Sequence, residues 1–325
     1  MKKIIKVTGV ILLANFTLFV SCKKKGCIDE NAINYNEEAK KDDGSCEYTP
    51  ADELEREKVI DDFNNVYLTS SISSNGWTGD VSACDEGNVS QECKDQTLKR
   101  LNYFRNLAGL NSVSWDASVF SKYQKAALIM QANNSLNHTP PNNWNCWTQE
   151  AYDGAYSANL SGGGNSPESI TSYMRDFGAS NDPCGHRRWI LYSKQTEFSL
   201  GATSHYHALG VVGLEALNTN VPDFIAYPSS GYFPKEITFE KWSFGIPNAN
   251  FSSANVQMID EGGNNLSLTI VSKTDSYGDN SIVWKPIGID LNTNSDQKYT
   301  ITISNITNAS QTSYSYSTTL IKAEI

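Results

Sequence analysis

Two histidines stand in sequence contexts that suit a chemical site. His186 lies between Gly185 and two arginines in the stretch 182–191 (DPCGHRRWIL), where an apolar run follows. This pattern predicts a turn that presents an imidazole at the mouth of a strand or helix. His138 lies upstream, in the stretch 136–140 (LNHTP). Taken alone, either histidine is better explained as a buried structural residue, so the hypothesis of a site depends on the pair.

The histidine pair does not by itself define a reaction. A hydrolase would need a nucleophile beside one imidazole, or a metal-bound water with a general base. The sequence contains neither the Gly-x-Ser-x-Gly elbow of serine hydrolases nor the His-Glu-x-x-His helix of metalloproteases. His205 and His207 lie two residues apart, so on a strand they would share one face. That face is interpreted either as a neighbour of the site or as a solvent-facing surface.

The elements that must position the histidines are amphipathic helices and short strands. Helices are predicted over about residues 95–108, 116–133 and 167–177, with strand-like stretches at 198–202 and 205–212. Asp116 is a suitable N-cap for the second helix, which ends shortly before His138. Helices followed by strands, without regular βαβ alternation, predict an α+β sandwich.

The C-terminal third has a different pattern, in which short β-rich runs alternate with turns. The runs lie at 224–227, 237–239, 256–259, 266–271, 281–284 and 299–303. Strands at this spacing predict an all-β sandwich of immunoglobulin-like type. Trp242 and Trp284 are predicted to be core residues, and the segment 227–234 is predicted to be a rigid junction with the preceding domain. Carbohydrate contact through exposed aromatic residues is the alternative.

Length and charge limit the classes of function. At 325 residues the chain exceeds one average domain, so at least two modules are expected. The net charge is -10, whereas a nucleic-acid partner would require a basic face to meet its phosphates. No nucleic-acid partner is therefore expected.

The N-terminus has the pattern of an export signal. Three lysines precede an apolar run at 7–20, which is too short for a membrane span and stops before Cys22. This arrangement resembles the bacterial lipoprotein box, in which the cysteine becomes the lipidated first residue of the mature chain. It predicts export and anchoring to the bacterial cell envelope, at the outer membrane or cell surface, with the membrane as a partner of lipidated Cys22. Ordinary secretion with an unpaired Cys22 thiol is the alternative.

Cysteine count agrees with an oxidising compartment. Seven cysteines are present, and removal of Cys22 from the count leaves an even number. Neighbourhood in sequence predicts the pairs Cys27–Cys46, Cys84–Cys93 and Cys146–Cys184. The last pair would tie the segment after His138 to the turn that bears His186.

The first predicted disulfide closes a small loop rich in Asp and Asn. The loop resembles a short repeat of bacterial surface proteins, and hard oxygen ligands on a tight loop suit Ca²⁺. The candidate ligands are Asp29, Asn36, Asp42 and Asp43. A disulfide-closed spacer with solvated acids is an equally good interpretation.

Short motifs in a fixed order connect the central region to a known family. They are 101–105 (LNYFR) with 108–110 (AGL), 137–138 (NH), 157–160 (SANL), 185–187 (GHR) and 200–202 (LGA). In this order they resemble the bacterial branch of the CAP superfamily, which includes cysteine-rich secretory proteins, insect-venom antigen 5 and plant pathogenesis-related proteins (SCP domain). The resemblance covers somewhat over a third of the chain. It implies an α-β-α sandwich with a surface cleft that holds two histidines.

The same resemblance implies a metal site in many members, formed by the two histidines and two acids. His138 and His186 match the histidines, but Ala158 stands where one acid is usual, and Asp176 is the candidate for the other. The predicted ligand set is therefore His138, Asp176 and His186, which is chemically adequate for Zn²⁺ or another divalent metal. Glu150 or Asp153 could replace the missing acid only if the fold brought either of them near.

These expectations combine into one organisation. The segments are a lipoprotein signal peptide (1–21), an anchor with a cystine loop (22–48), a helix with a disulfide-closed loop (49–94), a CAP-like domain (95–221) and a β-sandwich (222–325). The expected function is non-enzymatic binding of a small apolar ligand or an extracellular protein in the histidine-lined cleft. The alternatives are a hydrolase that uses His138, Asp176 and His186 as catalytic residues, and an adhesion scaffold with a vestigial cleft.

Overall fold

The computed structural model describes residues 24–30, 32–47, 51–163, 166–215 and 221–325. The chain divides into two compact units, residues 1–54 and 55–325. The predicted signal peptide and Cys22 lie outside the described residues. Within the described ranges, no helix combines the length and apolar character that a membrane crossing requires.

Six α-helices and twelve strands make up the regular structure of the described residues. The helices are α1 (Ala51–Asp62), α2 (Gln91–Leu107), α3 (Phe120–Asn133), α4 (Gln149–Tyr156), α5 (Ser166–Arg175) and α6 (Gly185–Ile190). The strands are β1 (Ser114–Trp115), β2 (Ala158–Gly162), β3 (Glu197–Ala202), β4 (Tyr206–Gly210), β5 (Ile225–Tyr227), β6 (Gly231–Pro234), β7 (Trp242–Gly245), β8 (Asn255–Asp260), β9 (Leu268–Thr274), β10 (Ser281–Pro286), β11 (Gln297–Ser304) and β12 (Ser313–Ile321).

The first sheet is the middle layer of a three-layer structure. Its order is β1-β3-β4-β2, with β1 parallel to β3 and the other neighbours antiparallel. Successive strand residues point to opposite faces, so Ala208 packs in a cluster with α3 and α4, and Leu209 packs in a cluster with α2 and α5. The predicted α-β-α sandwich is confirmed.

Helix α3 approaches this sheet closely because two strand positions are glycines. A Cβ atom on Gly201 would lie 2.1 Å from the backbone carbonyl carbon of Tyr123, and one on Gly210 would lie 2.2 Å from the Tyr123 ring. The first distance is impossible without movement of α3 and the second without movement of the Tyr123 ring, so these glycines set the spacing between helix and sheet.

The Gly201→Ala variant is expected to lower the free energy of unfolding by about 1–3 kcal/mol, because its methyl group meets backbone rather than a movable side chain. Urea unfolding would measure the change. Gly163→Ala is a useful comparison: its Cβ would have open space, so any cost there reports the positive φ of 85° alone. A loss at Gly201 no larger than at Gly163 would contradict the packing argument.

The C-terminal part contains two four-stranded sheets. Their orders are β5-β7-β10-β9 and β6-β12-β11-β8, and the neighbours are antiparallel except β6 and β12. Trp242 and Trp284 are about 1% exposed or less, as predicted, and the Trp242 ring meets Tyr299 of the facing sheet. The predicted all-β sandwich is confirmed. The strand expected at 237–239 is wrong, because residues Lys235–Ile237 form a 3-10 turn instead.

One hydrophobic cluster extends from the helical domain into the β-sandwich. It includes Leu101 and Ile190 on the helical side and Ile282 and Ile301 in the sandwich. Because the two parts share this core, the sandwich supports helix α6, which carries His186.

Two of the predicted disulfide pairings are wrong. Cys27 is bonded to Cys46 as expected, but Cys84 is bonded to Cys146, and Cys93 and Cys184 are free and buried. The fold brings the Cα atoms of Cys84 and Cys146 to 5.2 Å although 62 residues separate them in sequence. Proximity in sequence is therefore a poor guide here, since a disulfide requires only proximity of the two Cα atoms in space.

Candidate functional site

His138 follows helix α3 and faces the end of helix α4. Its Nδ1 lies 2.9 Å from the carbonyl oxygen of Ala155. A carbonyl oxygen can only accept a hydrogen bond, so Nδ1 must carry the proton. In the neutral ring this leaves Nε2 as an acceptor on an exposed side chain.

His186 is held by a buried carboxylate. Its Nδ1 lies 2.7 Å from Oδ1 of Asp176, which directly follows helix α5 and is 1% exposed. The other oxygen of Asp176 accepts the backbone N–H of Arg187 at 3.2 Å. The carboxylate therefore fixes the direction of the His186 ring, and in the neutral ring Nε2 is again left as an acceptor.

The sandwich holds the segment that carries Asp176. Lys241 is 1% exposed and donates from Nζ to the carbonyl oxygens of Asp176 at 2.9 Å and Gly178 at 2.7 Å. The same ammonium lies 3.2 Å from a carboxylate oxygen of Asp182. A lysine at the start of β7 thus fixes the loop between α5 and α6.

Tyr173 links His186 to a second, buried histidine. The Tyr173 ring stacks on His186, with centroids 5.4 Å apart, and its hydroxyl donates to the carbonyl oxygen of Asn159 at 2.9 Å. His207 Nδ1 lies 3.0 Å from the same hydroxyl. Because that hydroxyl proton is used by Asn159, Nδ1 of His207 is the donor. Burial lowers the pKa of His207 to about 3, so this ring is neutral.

Both candidate histidines line one cleft with a volume of about 440 Å³. The aromatic and aliphatic part of its lining consists of Tyr156, Ala158, Pro183, Trp189, Val211, Val212 and Tyr277. Its polar lining, besides the histidines, consists of Asn159, Ser180, Asn181 and Ser276. A largely apolar wall with a few fixed polar atoms is typical of a site for a small organic ligand.

The C-terminal sandwich contributes one wall of this cleft. Tyr277 lies in the turn between β9 and β10, and a Cβ atom on Gly185 would be 3.4 Å from its ring. Arg188 donates to the carbonyl oxygen of Asp279 at 2.7 Å and of Thr274 at 3.1 Å, which holds this turn against α6. The sequence predicted only a turn between these two strands, and no feature of the sequence predicted that the turn would line the cleft.

The predicted three-ligand metal site does not fit this geometry. Both oxygens of Asp176 are occupied, by His186 Nδ1 and by the Arg187 N–H, so the acid lies behind His186. Ala158, at the position where the resemblance implied an acid, lines the cleft. No group of three or more His, Cys, Asp or Glu side chains in the described parts of the chain could hold an ion.

The substitute acids and the other strand histidine lie elsewhere. Glu150 is paired with Lys125, and Asp153 accepts a hydrogen bond from Gln149 at 2.9 Å. His205 is exposed and precedes β4, whereas His207 is 2% exposed within it. His205 therefore lies outside the strand on which a shared face was expected, and neither histidine lines the cleft.

The candidate calcium loop is built from side-chain turns in the unit of residues 1–54. Asn36 accepts the N–H of Glu38 at 3.1 Å, Asp42 accepts that of Gly44 at 3.0 Å, and Asp43 accepts that of Ser45 at 3.1 Å. Such turns fold the loop without an ion. Calcium binding by Asp29, Asn36, Asp42 and Asp43 stays a prediction.

One comparison with known proteins identifies the central region of the chain. The family model described as CAP, cysteine-rich secretory protein family, matches residues 98–213. Neither the curated proteins nor the solved structures contain a match to the chain. The matched range includes the first sheet, both cleft histidines and Asp176. Residues 98–213 of this chain are therefore a CAP domain of the cysteine-rich secretory protein family.

Proposed function

We propose that the CAP domain is a binding protein for a small amphipathic ligand with an apolar body and one hydroxyl or other hydrogen-bond donor. The observation that carries this proposal is the pair of fixed imidazoles on one largely apolar cleft. Each Nδ1 is committed to an acceptor of the protein, Ala155 or Asp176, so each Nε2 offers a lone pair in the neutral ring. A donor on the ligand satisfies one of these acceptors, and the aromatic wall covers its apolar part.

The proposed position of the chain in the cell depends on the sequence alone. We propose that it is exported and attached to the bacterial envelope through lipidated Cys22, because the segment before that cysteine has an export pattern. The ligand would then be met outside the cytoplasm, free or displayed by an extracellular protein.

The test is ligand binding by the protein without residues 1–22, with dodecanol and its methyl ether as matched probes. Binding is followed by displacement of an apolar fluorescent dye. The alcohol is expected to bind about tenfold or more tightly than the ether, because only the alcohol donates to Nε2. The His138→Ala, His186→Ala double variant should lose this preference, and His205→Ala, which changes an exposed histidine outside the cleft, should keep it. Equal affinity for the alcohol and the ether in the unchanged protein would refute the proposal.

A second candidate function is hydrolysis, favoured by the 2.7 Å contact between Asp176 and His186. A carboxylate that orients an imidazole is the arrangement that a general base requires. In the described ranges no hydroxyl or thiol is hydrogen-bonded to His138 or His186, so the base would have to act on water. Turnover of p-nitrophenyl butyrate that disappears in the folded double variant would support hydrolysis and contradict simple binding.

Zinc titration calorimetry tests the remaining possibility, which is that the cleft binds a metal ion. The geometry leaves two imidazoles and no free acid, so stoichiometric tight zinc binding is not expected. Zinc binding that vanishes in the double variant would restore a metal function for the cleft.

A further inference from the structure

A small cavity lies between helix α6 and the sandwich, apart from the histidine cleft. Its volume is about 20 Å³, which is room for one species the size of a water molecule. It is lined by Arg187, Arg188, Leu191, Ile225, Ser243, Gly245, Asp279 and Ser281. The cavity therefore lies between the helix that carries His186 and strands β5, β7 and β10.

Two buried guanidinium groups border this cavity, and neither forms an ion pair with a carboxylate in the described ranges. Arg187 is 0% exposed and donates to the carbonyl oxygens of Met174 at 2.6 Å and Lys241 at 2.7 Å. Arg188 is 6% exposed and bonds only carbonyl oxygens. Neutral carbonyls orient a guanidinium but do not balance its charge, and an unbalanced buried charge is costly.

Each arginine also keeps one nitrogen without a partner. Arg187 Nη2, Arg188 Nη1 and the hydroxyl oxygen of Ser281 are buried and have no hydrogen-bond partner among the described residues. All three belong to side chains that line the cavity. Three unsatisfied donor groups around one small space call for a single acceptor, because buried donors are rarely left unpaired.

The local charge calls for an anion as that acceptor. Asp279 is the one acid that lines the cavity, and its carboxylate is engaged by the backbone N–H and hydroxyl of Ser193 at 2.8 and 3.0 Å. Burial raises the pKa of Asp279 and lowers that of Arg188 to about 10, because loss of water disfavours the charged form of each group. Among the residues that line the cavity, two guanidinium groups and one carboxylate leave one positive charge.

We propose that this cavity binds one chloride ion, held by Arg187 Nη2, Arg188 Nη1 and the Ser281 hydroxyl. A monatomic halide is the kind of anion nearest in size to this space, which is too small for a phosphate group. The ion connects both arginines of α6 to strand β10, so its binding stabilises the segment that presents His186. This site does not depend on what the cleft binds.

The first test compares unfolding of the intact protein in sodium chloride and in sodium gluconate at equal ionic strength. The unfolding midpoint is expected to rise with the logarithm of the chloride concentration, because the ion binds only the folded state. Crystals soaked in sodium bromide should show an anomalous peak between the two arginines. Equal midpoints in both salts, or an ordered water instead of bromide in the cavity, would overturn the proposal.

A variant that leaves the arginines in place sharpens this test. Ser281→Ala removes one unpartnered hydroxyl and no hydrogen bond of the described structure, so the protein should fold. The chloride concentration that gives half of the stabilisation should rise about fivefold. Ser253→Ala changes an exposed serine of the same sandwich and should leave it unchanged. An unaltered chloride dependence in Ser281→Ala would show that the Ser281 hydroxyl does not hold the ion.

Discussion

Replacement of Arg105 with Met is expected to lower the free energy of unfolding by about 3–5 kcal/mol. Arg105 is 0% exposed and donates to four carbonyl oxygens. They belong to Asn111 at 3.0 Å, Ile190 at 2.7 Å, Tyr192 at 3.1 Å and Gln195 at 3.1 Å. Methionine fills similar space but leaves these buried acceptors without donors, and each such loss costs roughly 1–3 kcal/mol.

The measurement is urea unfolding of Arg105→Met beside a matched exposed arginine. Arg56 pairs with Asp296 at 2.9 Å, and about a third of each side chain is exposed. Arg56→Met should therefore cost less than about 1 kcal/mol. Arg105→Lys should lie between the two, since it keeps the charge but cannot reach four carbonyls at once. Similar losses at Arg105 and Arg56 would show that the carbonyl network contributes little.

This variant also bears on the cleft. Ile190 ends helix α6, so Arg105 connects helix α2 to the end of the element that begins beside His186. Loss of that connection should lower ligand affinity even at temperatures where the variant is folded.

The second large effect is a pH dependence of stability due to His207. An unfolded histidine titrates near pH 6.5, whereas burial lowers the pKa of folded His207 to about 3. Between these values the unfolded chain binds one more proton, so the stability due to this group is complete above about pH 6.5 and is lost as pH falls towards 3. The expected slope is up to about 1.4 kcal/mol per pH unit.

The measurement is the free energy of unfolding between pH 4 and 8 for the unchanged protein and His207→Gln. Carboxylates also titrate in this range, so the informative quantity is the difference between the two curves. That difference should shrink as pH falls below about 6.5, because glutamine binds no proton. His205→Gln, at an exposed position, is the control for the loss of a histidine. Parallel curves for the unchanged protein and His207→Gln would contradict a neutral buried His207.

Local patterns identified much of the helical layer. The predicted helix at 167–177 corresponds to α5, and the predicted N-cap Asp116 accepts the N–H of Ser118 at the start of the turn that leads into α3. Strands β2, β6, β7 and β12 were not predicted. The β2 stretch 158–162 (ANLSG) is short and lacks β-branched residues, and it becomes a strand because it pairs with β4 in the sheet.

The histidine pair shows where sequence information ends. The order of motifs around His138 and His186 was sufficient to indicate a shared cleft. Asp176 was predicted as a metal ligand, whereas its two oxygens contact His186 and the Arg187 N–H, because spacing along the chain does not reveal the direction of a carboxylate. Asn159 stood in a recognised motif, but its contact with the carbonyl oxygen of His186 at 3.0 Å could be read only from the structure.

What the sequence determined by itself is the CAP family, the histidine pair and the division into a domain of helices and strands followed by a β-sandwich. These depend on periodicity, caps and motifs that act over a few residues. Tertiary structure alone decided the Cys84–Cys146 disulfide, the position of Tyr277 in the cleft wall, the burial of His207 and the small cavity between α6 and the sandwich. Each of these joins segments distant in sequence, and such contacts form only when the shared core brings the segments together.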